Sequence, residues 1–78
     1  MRRPQTDKPD VSKIYGKIQY VDHFPDYRAE VVNVFEDLEV REVDYVPMRS
    51  GEWQIVSAFP DYRIQIVEAF GHFKIKYV

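Results

Sequence analysis

From Ile14 onward, apolar and polar residues alternate in short runs. Tyr62-Arg63-Ile64-Gln65-Ile66 and Phe73-Lys74-Ile75-Lys76-Tyr77 change character at every position. Successive side chains of a strand point to opposite faces, so a period of two marks a strand with one buried face. Val, Ile, Tyr, Phe and Trp dominate these runs, and they are the residues that suit a pleated, half-buried surface. No window keeps a 3.6-residue period over the length of a helix. The pattern predicts a single all-β domain over 14–78. Residues 1–13 are polar, carry Pro4 and Pro9 and show no periodicity. They read as a flexible tail with one short turn near Asp10 to Lys13.

The pattern also repeats. Val21, Val32 and Val43 lie 11 apart, as do Val56, Val67 and Val78, while the step from Val43 to Val56 is 13. Phe24 and Phe35, then Phe59 and Phe70, follow the same spacing. Residues 18–43 align without a gap on 53–78, with ten identities in 26 positions, five of them consecutive (Phe24 to Arg28 on Phe59 to Arg63). The chain is therefore two similar halves, each a series of strands and corners. In Phe24-Pro25-Asp26, the proline fixes φ and is expected to hold Phe24 extended. Asp26 is expected to accept nearby backbone N–H groups. Phe35-Glu36-Asp37 and Phe70-Gly71-His72 are looser copies. The 47–52 stretch carries the two-residue excess and reads as an exposed loop. Units of 11 residues leave no room for a crossover helix, so antiparallel packing with a pseudo-two-fold internal repeat is the expected architecture.

The corner Val-x-x-Phe-Pro-Asp, repeated at this spacing and joined by Gly51-Glu52-Trp53-Gln54-Ile55-Val56, resembles the small bacterial septoil-knot domains. The likeness runs from Tyr15 to Val78. It implies a chain wound into a seven-crossing torus knot, which composition and spacing would not suggest because knots are nearly absent from known folds. Relatives carry a cysteine near the domain start and another just before the Gly-x-Trp. Ser50 stands at the second position here and the chain has no cysteine. The resemblance implies no activity and no site.

Composition narrows the function. Eleven basic and 13 acidic residues give a net charge of -2, without the basic footprint of a nucleic-acid binder. No apolar run approaches the roughly 18 residues of a membrane span, and no signal-peptide core is visible at the start. A monomer in the cytoplasm is the default expectation. Without cysteine, disulfides and thiolate chemistry are closed.

Each residue type able to carry chemistry has a structural alternative. His23 and His72, with Asp22, Asp26 and Glu68 nearby, could ligate a metal, but the two histidines occupy unequal places in the repeat and read as corner residues. Asp26, Asp37 and Asp61 recur at matching turns, whereas acid–base catalysis needs asymmetric carboxylates. Ser12, Ser50 and Ser57 lack a nucleophile context. Gly16, Gly51 and Gly71 are too scattered to cradle a phosphate. Trp53, Tyr20, Tyr45 and Tyr77 are expected in or beside the core rather than stacking on ligands, and Arg28 and Arg63 beside rings or acids. No catalytic, cofactor or metal residue is assigned. The expectation is a non-catalytic structural or interaction domain with an unidentified protein or small-molecule partner. The alternative is a small-ligand or carbohydrate-binding protein using exposed aromatics near the corners or the 47–52 loop.

Overall fold

The computed structural model describes residues 9–78. A 3₁₀ turn at Val11–Lys13 precedes six strands: β1 (Gly16–Tyr20), β2 (Tyr27–Val31), β3 (Leu38–Glu42), β4 (Glu52–Ile55), β5 (Tyr62–Val67) and β6 (Phe73–Tyr77). They close into a barrel in the order β1-β4-β3-β6-β2-β5. The expectation of Arg2, Arg3 and the rest of 1–8 as a flexible tail lies outside the described residues. The short turn expected near Asp10 to Lys13 is present. Asp10 caps it by accepting from the Ser12 amide at 3.2 Å and the Ser12 hydroxyl at 2.6 Å. These bonds hold the Asp10 carboxyl below its ordinary range.

The antiparallel expectation is wrong: all six strand pairings are parallel. Parallel strands are ordinarily joined by crossovers of a dozen residues or more, because the chain must return to the starting end. Here the stagger of the barrel removes the return. Tyr20, the last residue of β1, pairs with Ile64 in the middle of β5, and Ile64 pairs with Tyr27, the first residue of β2. The end of one strand thus lies level with the start of the next, one strand away. The same rows recur as Val31–Ile75–Leu38, Ile55–Ile18–Tyr62 and Ile66–Ala29–Phe73. An arch of about six residues needs only to step over the intervening strand. Unit length argued correctly against a helix but could not reveal this offset.

The longer central spacing has a matching cause. The row Glu42–Trp53–Gly16 shows that a regular arch after β3 would lead the chain into the place β1 already holds. The nine residues 43–51 instead bring it into β4, directly beside β3. The strands of the second half thereby fall between those of the first, and the chain circles the barrel about one and a half times.

The core follows the same rows. Their central residues, Ile18, Ala29, Trp53, Ile64 and Ile75, and Val40, which pairs with Tyr77, have no exposed surface. They recur every 11 residues with the same 13-residue step in the middle. Trp53 and Ala29 stand on strands opposite each other in the ring, so the largest central side chain faces the smallest. Phe73, Leu38 and Ile14 complete the core. The indole N–H of Trp53 donates to the Ile14 carbonyl at 2.9 Å, satisfying a buried polar group and binding the segment before β1 to the core.

Gly16 and Gly51 occupy the first core-facing position of β1 and the residue just before β4, with φ of +114° and +85°. Both halves enter the barrel through a left-handed residue, where a side chain is strained. A Cβ on Gly16 would strike the Asp61 carboxylate, and one on Gly51 would strike the Glu39 backbone carbonyl. Replacing either glycine by alanine should destabilise the fold by about 1–3 kcal/mol, the scale of a forced backbone conformation. Gly51→Ala should cost more, because a backbone carbonyl yields less readily than a side chain. Urea midpoints of the two variants check both the loss and its order.

Candidate functional site

The arches 21–26, 32–37, 56–61 and 67–72 share two residues in every copy, an initial valine and a central phenylalanine. The valines are structural. Val21, Val32 and Val56 each donate their amide at 2.9 Å to the central residue of the strand beneath, Ile64, Ile75 and Ile18 respectively. Val43 and Val78 do the same to Trp53 and Val40.

The last arch residue makes a two-point bond that imitates a strand residue. Asp26 donates its amide to the Arg63 carbonyl at 2.8 Å and accepts the Arg63 amide on its carboxylate at 2.7 Å. Asp37 holds Lys74 in this way and Asp61 holds Lys17. These aspartates cap a neighbouring strand far away in sequence, not their own turn as expected. His72 takes the same place in the fourth arch. Its amide donates to the Arg28 carbonyl at 2.7 Å, and its Nδ1 accepts the Arg28 amide at 2.8 Å. An accepting Nδ1 leaves Nε2 as the nitrogen that donates. The Tyr27 ring meets it edge-on at 5.8 Å.

The phenylalanines have no such role. Phe24, Phe35, Phe59 and Phe70 have φ between 55° and 62°, not the extended conformation expected from Pro25. Their exposures are 91, 87, 92 and 97%. A left-handed conformation costs an L-residue roughly 1–2 kcal/mol, and a ring in water recovers none of it by burial. Because each arch stands one strand over and two residues along from the last, the four follow one another around the barrel in the order Phe59, Phe24, Phe70, Phe35. The sequence signal for these rings was their recurrence in all four arches, which reads equally well as core.

The arches also grip what lies under them. The outward-facing Gln65 of β5 donates its amide to the Asp22 carbonyl at 3.1 Å, and Gln19 of β1 donates to the Ser57 carbonyl at 3.0 Å. Arg28 bonds Gln65 through Nε at 3.3 Å, rather than an acid or a ring face. Over β4, where the regular arch is interrupted, the Gln54 side chain has no hydrogen-bond partner among the described residues. An open depression of about 780 Å³ lies there, lined by residues including Arg41, Glu42, Tyr45, Gln54 and Ile55. Glu52 orders its rim by accepting the Tyr45 hydroxyl and the Met48 amide, both at 3.1 Å. The Met48 amide, then the Tyr45 hydroxyl and Arg49, hold the Glu52 carboxyl below its ordinary range despite some desolvation.

Beside it, the Tyr20 hydroxyl donates to Glu42 Oε2 at 2.6 Å and lies 2.8 Å from the Tyr77 hydroxyl. Burial, followed by these bonds, pushes the Tyr20 phenol far up, and burial raises Tyr77 as well. Of the four aromatics expected to pack, Trp53 is buried and Tyr20 is half-buried, whereas Tyr77 is 39% and Tyr45 53% exposed. His23 is exposed in the first arch, and His72 is engaged in the fourth. Ser50 and Ser57 are exposed. Among the described residues, no three His, Cys, Asp or Glu side chains are grouped to hold a metal ion, and no helix is long and apolar enough to cross a membrane.

The architecture defines a class, a small closed parallel barrel wound from interlaced halves. Residues 11–78 match the 7(1) septoil knot domain family, and the chain belongs to that family. No curated protein matches the chain.

Two sets of substitutions separate the roles of the arch residues. Asparagine tolerates a left-handed backbone. Phe→Asn at 24, 35, 59 or 70 should therefore leave thermal stability unchanged or raise it by about 1 kcal/mol per site, whereas a core ring would cost several. At position 72, His72→Asp should preserve stability by restoring the acceptor of the other arches. His72→Ala should lose about 1 kcal/mol, the worth of one hydrogen bond, as read from urea denaturation.

Proposed function

We propose that this domain is a non-catalytic interaction module, a rigid barrel that displays its four phenylalanine arches to a basic protein segment. The observation that supports this reading is the display itself. Four rings at matching places are nearly fully exposed, on backbone that disfavours them. Strain retained without a packing return is characteristic of binding surfaces.

Charge names the partner. The four arches contain Asp22, Asp26, Glu36, Asp37, Asp61 and Glu68, and no lysine or arginine. Apolar arches that carry acids of their own, with Arg28 beside Phe24, suit a segment carrying Lys or Arg among apolar side chains, and disfavour nucleic acid and anionic membranes. The closed barrel leaves no unpaired sheet edge, which favours a monomer. The interlaced halves support the threaded path that the family's description names. A threaded chain should unfold slowly, so its stability would be kinetic.

A synthetic peptide alternating leucine and lysine, titrated by calorimetry, tests the reading. Saturable binding is expected, weakened by salt and reduced at least about tenfold, or 1.4 kcal/mol, by Phe→Asn at all four arches. Binding indifferent to the four rings, or stronger binding of an equally apolar peptide with glutamate for lysine, overturns it. Unfolding within milliseconds in mild urea would remove the kinetic part.

A further inference from the structure

The depression over β4 exists because one arch cannot be completed. Where arches close, the outward glutamine beneath donates to an arch carbonyl: Gln65 to Asp22 and Gln19 to Ser57. Gln54 is the equivalent of Gln19 in the second half. The segment over it begins as an arch, with the Val43 amide on the Trp53 carbonyl. It then turns away, because β1 occupies the place the arch would lead into. The Gln54 amide, half-buried, is left facing the depression without the acceptor its two counterparts have.

The groups around it form a mixed set. Arg41 brings donors, Glu42 brings an acceptor, and the Gln54 amide brings both. The Tyr45 ring, 53% exposed, is held by its hydroxyl on Glu52. Glu42 Oε2 accepts Tyr20, and Oε1 carries no bond among the described residues. A second depression lined by Glu42 and the exposed Tyr77 adjoins the first.

We infer that this broken arch is a binding site for a neutral sugar ring of hexose size. One face of such a ring is apolar and stacks on an aromatic side chain, while its hydroxyls both donate and accept. Tyr45 supplies the stacking surface, and Gln54, Glu42 and Arg41 supply the polar partners. A phosphorylated ligand does not fit, because Glu42 and Asp44 outnumber Arg41 in the lining. A purely apolar ligand would leave the Gln54 amide unsatisfied. The volume of about 780 Å³ exceeds one sugar ring, as expected for a site open to solvent. The site is separate from the phenylalanine arches and stands whether or not they bind protein.

The test is a ¹⁵N-amide NMR titration of the whole chain with glucose, galactose, mannose and N-acetylglucosamine at millimolar concentration. The expected result is that at least one sugar shifts Arg41 to Tyr45, Ile55 and the Gln54 side-chain amide, and leaves the four arches unmoved. Tyr45→Ala and Gln54→Ala should each weaken that response at least about tenfold while keeping the dispersed spectrum of the folded barrel. Three outcomes overturn the inference: no sugar perturbs these residues, both variants respond as the parent does, or glucose 6-phosphate binds there more tightly than glucose.

Discussion

Six residues of chain can step over one strand, but they cannot both clear it and return the length of a strand to start a parallel neighbour. That limit governs the whole domain. It is met by the stagger of the barrel, which at every connection but the one from β3 to β4 sets the end of one strand level with the start of the next. Steep stagger is one of the linked quantities of a closed barrel, and here it replaces the helical crossover that parallel strands otherwise need. The central residue of each row is then enclosed by the rows above and below it, which is why these six positions form a core without exposed surface.

An arch so short must be fixed at both ends, and the chemistry of its residues follows. The opening valine lends its amide to the strand beneath. The closing Asp or His lends an amide and a side-chain acceptor to the same strand. Between them the chain bends through a left-handed phenylalanine whose ring cannot reach the barrel interior. The geometry that closes the fold thus lifts the apolar residue of each arch into solvent. A fold needing only the bend would be better served by glycine or asparagine, and the proposed binding role rests on that difference.

Symmetry and its failure divide the surface into two regions. Where the two halves repeat, the arches are alike, and Gln19 and Gln65 each reach an arch carbonyl. Where the second half must be inserted between the strands of the first, the repeat gives way to residues 43–51, and Gln54 loses the cover its counterparts have. The candidate sugar site is a by-product of fitting two laps of chain into one ring. The phenylalanine arches belong to the repeating part.

Much of this was legible in the sequence. Alternation marked the strands, because a strand with one buried face must alternate. The 11-residue spacing of valines and phenylalanines marked the arches, and the 13-residue step marked the irregular connection. Strand direction was not legible, since period two is the same in parallel and antiparallel sheets and the offset between strands is a property of the closed ring. The exposure of Phe24 and its counterparts was hidden too. A recurring aromatic is the ordinary signature of a core, and only the backbone φ at the arch turns it outward. Nor did any local signal distinguish Gln54 from Gln19, because their difference lies in which other strand occupies the neighbouring place. The sequence by itself determined the class of element, the repeat and the family. The tertiary structure decided direction, exposure and the break in symmetry, because each depends on residues that meet only when the barrel closes.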